Sequence, residues 1–421
     1  MQFYIDPGTG SMLFTMLLGI LGAGIYALRN LGMKLRFWLS GGKNTKVQQE
    51  ALPFVIFSDS KRYWNTFAPI CREFEKRGQD VVYMTASPDD PALKEKFEHV
   101  KCEFIGEGNR GFARLNLLQA DVLLATTPGL DVYQWKRSKN VKYYVHIIHA
   151  PNDVYYRMFG LDFFDAVLMS GQFQIDQIRE LEQVRNLPAK EMKVVGMPYL
   201  DAMLERLRKT EPLAEHPITV LVAPSWGPSS ILNRFGSQFI EELLKTGYKI
   251  IIRPHPQSYT SEKDLLEKLQ KQYPDNEQLQ WNDDNDNFDV LNTADIMISD
   301  YSGVIFDFSL VFNKPVIYAD TSFDRSPYDS WFVDRPLWTF EVLKKIGTKL
   351  TPENFREIKE IIDGCLSNPA FQTALEQARI ECWENIGYSA ALTTEYLINK
   401  RQELYSFENE KQLQTDKMSK I

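Results

Sequence analysis

Short apolar runs rich in Val, Ile and Phe alternate with stretches of helical pattern along most of this chain. Pro53–Ser58, Val81–Thr85, Val122–Ala125, Tyr143–Ile148, Ala166–Met169 and Lys193–Val195 read as buried strands. Arg62–Arg77, Pro91–His99, Gln172–Val184 and Leu200–Lys209 read as the helices between them. Such alternation predicts a parallel sheet covered on both faces. Pro212–Pro217 breaks the pattern, which then restarts. Ile218–Ala223, Lys249–Arg253, Ile296–Ser299 and Pro315–Tyr318 are the second set of strands; Ser230–Thr246, Ser261–Gln272 and Gly303–Phe312 are its helices. Two doubly wound α/β units joined near residue 210 predict two Rossmann-like domains, 51–210 and 211–400. Ligands of such sheets bind beyond the carboxyl ends of the strands, so the site is expected in the cleft between the domains. Glu353–Lys400 reads as two or three helices, and the polar tail 401–421 is expected to fray.

The N-terminus has a different pattern. No charge occurs from Pro7 to Leu28, and Met12–Leu28 is nearly all apolar or small. That length suits a transmembrane helix at the short end of the range. Asp6 precedes it, while Arg29, Lys34, Arg36 and Lys43 follow, the reverse of a cleaved signal peptide. The positive-inside rule then puts everything after the span in the cytoplasm. The expected layout is an extracytoplasmic lead-in at 1–11, the span at 12–28 and a basic, polar linker at 29–50. Gly19, Gly22 and Gly24 offer a close helix–helix contact, and with it a homo-oligomer. No chemical role is read from Tyr4-Ile5-Asp6-Pro7-Gly8-Thr9-Gly10.

Composition narrows the function. At 421 residues, 44% hydrophobic and 25% charged, the chain is a folded protein too long for one ordinary core. A formal charge of -8 argues against nucleic acid as a partner. Cys71, Cys102, Cys365 and Cys382 form no CxxC pair and read as buried thiols in a reducing compartment. The chain has no P-loop, GxGxxG, HExxH or GxSxG, which removes support for ATPases, dehydrogenases, zinc proteases and serine hydrolases. No cofactor is predicted; a divalent metal is left open, but no ligand cluster marks one, and Asp283-Asp284-Asn285-Asp286, the nearest acidic group, reads as a solvated loop.

Three loops carry the chemistry, each just past an expected strand. His149-Ala150-Pro151-Asn152-Asp153 offers an imidazole as a general base, with a hydrogen-bonded structural histidine as the alternative. His146, inside the strand, fits that alternative better. In Arg253-Pro254-His255-Pro256, two prolines stiffen a turn whose guanidinium and imidazole suit a diphosphate; a rigid turn with a surface arginine is the alternative. In Ser299-Asp300-Tyr301-Ser302-Gly303, a strand runs into a helix whose first amides can receive an anion, and Ser302 can cap that helix. Together these loops describe a site for a nucleotide diphosphate donor.

Arg253–Pro256, then Ser299–Asp307, then Asn313-Lys314-Pro315-Val316 resemble the R-x-H-P, S-D-Y-S-[ST] and K-P-[IV] series of the CDP-glycerol glycerophosphotransferases of teichoic-acid and capsule synthesis, roughly over residues 140–320. The resemblance implies a GT-B-like fold with two Rossmann-like domains and a cleft. It implies transfer of glycerol phosphate from CDP-glycerol to a hydroxyl of a membrane-linked acceptor, with release of CMP. His149 matches the family's H-G-T-P histidine and would be the base or a phosphate contact. His255 would hold the donor diphosphate with Arg253, Ser302 and Gly303, with Asp300 preceding them. Pro224, Ser225 and Trp226 fall at the family's T-W-R loop. Two positions depart: the first loop lacks the family's Gly and Thr, and Gly227 stands where the arginine is expected. Arg234 and Arg325 are the candidates to replace that cation. A nucleotide-sugar glycosyltransferase or 2-epimerase, and a non-catalytic scaffold of an envelope-polymer complex, are the alternative readings.

Overall fold

A computed structural model of the chain describes residues 51–418, apart from 152, 155–157, 285, 320–324, 327 and 333. The expected lead-in, span and linker therefore lie outside the described residues, as does Asn152. Among the described residues no helix is long and apolar enough to cross a membrane.

Two parallel sheets lie within one compact unit beginning at Ala51. The first holds β1 (Leu52–Ser58), β2 (Val81–Thr85), β3 (Val100–Phe104), β4 (Gln119–Ala125), β5 (Asn140–Ile147), β6 (Ala166–Met169) and β7 (Glu191–Val194) in the order β3-β2-β1-β4-β5-β6-β7. The second holds β8 (Thr219–Val222), β9 (Lys249–Ile252), β10 (Leu279–Trp281), β11 (Ile296–Ser299), β12 (Val316–Ala319) and β13 (Gly347–Leu350) in the order β10-β9-β8-β11-β12-β13. Strand order reverses beside β1 and β4 in one sheet and beside β8 and β11 in the other. These are the switch points where such folds open a crevice at the strand ends.

The strands are apolar throughout because both faces are covered. In β1, Val55 and Phe57 enter one core cluster while Phe54 and Ile56 enter another across the sheet. In β8, Val220 and Val222 face one cluster, and Leu221 with the following Ala223 face the other.

Several elements differ from expectation. The helix expected over 91–99 is one 3-10 turn, Pro91–Lys94, followed by β3. Buried Asp90 holds that turn by accepting from Thr85 Oγ1 at 2.7 Å, Tyr83 Oη at 3.1 Å and the Ala92 amide at 3.0 Å. The helix expected over 230–246 breaks into Ile231–Arg234 and Gly236–Leu244, with Gly236 at φ +42. That expected over 303–312 is three helical residues followed by a π-turn, Asp307–Val311. The tail expected to fray from Arg401 belongs to a helix, Ser389–Met418. Its Arg401 Nε lies 2.8 Å from fully buried Asp121, and Tyr405 Oη donates to the same carboxylate at 2.9 Å.

One side of the cleft is tied shut. From the segment between β12 and β13, Asp329 accepts the Phe159 amide at 2.7 Å and the Gly160 amide at 3.1 Å, and pairs with Arg185. From the first lobe, Asp153 accepts the Thr339 amide at 2.6 Å and the Trp338 amide at 2.9 Å. Farther along, Gly196 at φ +92 lets the chain at 384 pass close by; a Cβ there would lie 2.3 Å from the Glu384 carbonyl.

Candidate functional site

On the first lobe, the chain beyond β1 turns through Ser60 into a 3-10 turn, Lys61–Tyr63. Ser60 Oγ accepts from both the Arg62 amide at 3.4 Å and Arg62 Nε at 3.2 Å. Tyr63 packs on the His149 ring with centroids 4.8 Å apart. Thr126, the residue after β4, fixes the other edge of that imidazole. Its hydroxyl donates to the Ile147 carbonyl at 2.9 Å and lies 2.7 Å from His149 Nδ1. A hydroxyl has one hydrogen, and Ile147 takes it, so Thr126 accepts and Nδ1 carries the proton. The lone pair of His149 is therefore on Nε2.

On the second lobe the tautomer is reversed. The Gln257 amide donates to His255 Nδ1 at 3.1 Å. Nδ1 is thus the acceptor, and the proton of His255 sits on Nε2. One imidazole offers a base and the other an N–H donor.

Neither histidine is fully covered, yet desolvation is the leading cause of the shift in each. Burial, then the charge of Arg62, pushes His149 down to about 4. The same two causes push His255 down to about 4. Both rings are neutral near pH 7, and the same guanidinium acts on each although they belong to different lobes. Beside it, burial raises the Asp59 carboxyl above the ordinary range, and burial, with the charge of Asp59 adding to it, pushes Tyr63 up to about 12. His146 is fully buried, edge-on to Phe164 at 5.0 Å, and burial holds it well below its usual range, as a structural histidine.

The remaining expected residues divide. Ser302 is nearly buried and does not cap the helix after it; the cap position is Gly303, with no side-chain hydrogen bond. The Ile305 and Phe306 amides return to the Ser302 and Gly303 carbonyls at 3.1 and 3.0 Å. Trp226 is 43% exposed, its ring 6.4 Å from that of His255, and presents a flat face beside it. Asp300 is engaged within the fold. It is fully buried, and its carboxylate accepts the Ser225 amide at 2.8 Å and the Ile231 amide at 3.0 Å, so it shapes the Pro224–Trp226 loop from behind. Arg253 is likewise engaged within the fold. One terminal nitrogen bonds Asn282 Oδ1 and the other reaches the Asp284 carbonyl at 2.7 Å, which ties the side chain to the β10 edge. Two surface recesses of about 540 and 490 Å³ are lined by none of these expected residues.

Sequence reading missed Thr126 and Arg62. A cation that was not considered as a replacement at Gly227, Arg62, acts on both histidines. Gly227 itself has φ +91 and donates its amide to Glu262 at 2.9 Å, so an arginine there would be strained and beside a carboxylate. The signal for Arg62 was its place four residues past a strand end at a switch point. Among the described residues no His, Cys, Asp and Glu grouping could hold a metal ion.

Residues 165–360 match the sequence model of the CDP-Glycerol:Poly(glycerophosphate) glycerophosphotransferase family. Among solved structures the chain is similar to the wall teichoic acid polymerase TagF soaked with CDPG, at 12% identity and a TM-score of 0.53, over 92% of this chain and 99% of that one. It is similar to the UDP-GlcNAc 2-epimerase of Methanocaldococcus jannaschii at 12% identity and a TM-score of 0.54, over 83% of this chain and 100% of that one. For the same enzyme of Neisseria meningitidis the values are 14%, 0.52, 82% and 99%. At such identities these likenesses establish the GT-B-like fold. No curated protein matches by sequence.

Proposed function

We propose that this chain, an enzyme of the CDP-glycerol:poly(glycerophosphate) glycerophosphotransferase family through residues 165–360, moves glycerol phosphate from CDP-glycerol to a hydroxyl of an envelope-polymer acceptor and releases CMP. The observation that carries the reading is the pair of opposite tautomers, His149 with a bare Nε2 and His255 with Nε2–H, around one guanidinium.

His149 Nε2 takes the proton of the acceptor hydroxyl as that oxygen attacks the phosphorus bearing glycerol. The bond from this phosphorus to the CMP oxygen breaks, and CMP leaves with the electron pair. His255 Nε2–H and the amides at the Ser302–Gly303 turn hold the diphosphate oxygens. Phosphoryl transfer of this kind depends on positioning and charge stabilisation more than on covalent help. Bound phosphate beside His149 counters the Arg62 charge and raises the imidazole toward neutrality, where a base works best.

Attachment to the cytoplasmic membrane through residues 12–28, with both lobes on the cytoplasmic side and a lipid-linked acceptor, belongs to the same proposal. Its support is the order of charges around that segment. Partition of the chain into carbonate-washed membranes, lost on deletion of 1–28, is the expected result. For the chemistry, calorimetry with CDP-glycerol, CDP-ribitol, UDP-sugars and CMP-sugars separates this donor from those of a glycosyltransferase or epimerase. His149→Ala is expected to lower transfer by about 10²–10⁴-fold. Near wild-type transfer by both His149→Ala and His255→Ala would end the assignment.

A further inference from the structure

Arg62 is placed as few surface arginines are. It leaves the first sheet at the carboxyl end of β1, beside the switch point, on the turn whose Tyr63 packs against His149. Its Nε is held by Ser60 Oγ at 3.2 Å, which fixes the stem and leaves both terminal nitrogens without a protein acceptor among the described residues. Among the described residues no carboxylate lies within ion-pair distance of it, although its charge acts on nearby Asp59, whereas its neighbour Lys61 is paired with Asp89. The side chain is exposed, and its charge reaches a histidine on each lobe. Both of those imidazoles are neutral, Arg253 is bonded elsewhere, and Gly227 supplies no side chain. A dianionic diphosphate held between the histidines would therefore meet the Arg62 guanidinium, presented from the lobe that carries His149.

We propose that Arg62 is a catalytic residue that clamps the transferred phosphoryl group between His149 and His255 and neutralises the charge that builds on it during attack. This rests on the glycerophosphotransferase reading above. Four N–H bonds of a planar fork suit two phosphoryl oxygens at once, which a lysine cannot reproduce. Brought to bear on the transferred phosphoryl group, the fork would meet charge where oxygen–phosphorus bonding changes, so its effect falls on turnover more than on donor affinity.

The test uses the full-length chain, CDP-glycerol as donor and a short oligo(glycerol phosphate) as acceptor, with CMP release as readout. Arg62→Ala should lower kcat by about 10²–10³-fold, while its calorimetric Kd for CDP-glycerol rises less than about tenfold, because only the transition-state share of the contact is large. Arg62→Lys should restore part of kcat. Because the Arg62 charge holds His149 down, its removal should also move the acid limb of the pH–rate profile to higher pH, a shift that a merely structural residue would not give. Unchanged melting temperature shows that the variant is folded, as expected for an exposed side chain. A kcat within about threefold of wild type, or a loss confined to donor affinity, overturns the inference alone. A wild-type chain that neither binds nor turns over CDP-glycerol overturns the donor assignment and this inference with it.

Discussion

Replacing Thr126 by valine tests whether the proton of His149 is where the hydrogen bonds put it. Valine keeps the shape of threonine and removes only the hydroxyl. Thr126 is fully buried, so no water replaces the lost oxygen. The proton on His149 Nδ1 then has no acceptor, and an unpaired buried donor costs about 1–3 kcal/mol. The ring avoids most of that cost by moving its proton to Nε2. Regaining the reactive tautomer then costs about 1–1.4 kcal/mol, the net worth of one hydrogen bond, which is five- to tenfold in rate. The expected result is a kcat lower by about tenfold with an unchanged Kd for CDP-glycerol, since the Thr126 hydroxyl bonds the first-lobe histidine and the Ile147 carbonyl, not His255. Thr126→Ser should recover most of the loss. Nitrogen-15 spectra of labelled imidazole should show Nδ1–H in the wild type and Nε2–H in the valine variant. A wild-type spectrum dominated by Nε2–H, or a valine variant with unchanged kcat, would refute the reasoning.

Other outcomes follow from neighbouring groups. His255→Ala should weaken CDP-glycerol binding by about 1.5–3 kcal/mol, read by calorimetry, because it removes a donor to a charged oxygen. Burial pushes Asp307 up to about 7, so the folded chain holds a proton there that the unfolded chain releases near 4. Its contribution to stability is present below pH 4 and is lost as pH rises to 7, by at most about 4 kcal/mol. Denaturant unfolding across that window should therefore show a slope that Asp307→Asn flattens. Gly196→Ala should cost more than about 2 kcal/mol in the same assay, from a left-handed φ together with a contact that the Glu384 carbonyl cannot relieve.

The apolar strands were legible because a sheet covered on both faces leaves no polar positions along its inner strands. β1, β2, β4, β5, β6, β8, β9, β11 and β12 were read within a few residues. Of the four edges only β7 was; β3 reads VKCEF, β10 LQW and β13 GTKL. An edge strand has one partner and partial cover, so its sequence carries less of the apolar signal. The final helix was hidden for another reason. Arg401 and Tyr405 look like a solvated tail until the fold brings Asp121, 280 positions earlier in the chain, against them.

By itself, then, the sequence determined the strand–helix alternation and the loops at strand ends that hold His149, His255 and Ser302, because periodicity and turn residues act over a few neighbours. Only the tertiary structure decided which charges meet. It bent Arg253 onto Asn282 and Asp284, put Asp300 behind its loop, gave the two histidines opposite protons, and let the charge of Arg62 act on both. Those outcomes depend on distances between residues far apart in the chain, and burial multiplies electrostatic effects that local sequence does not encode.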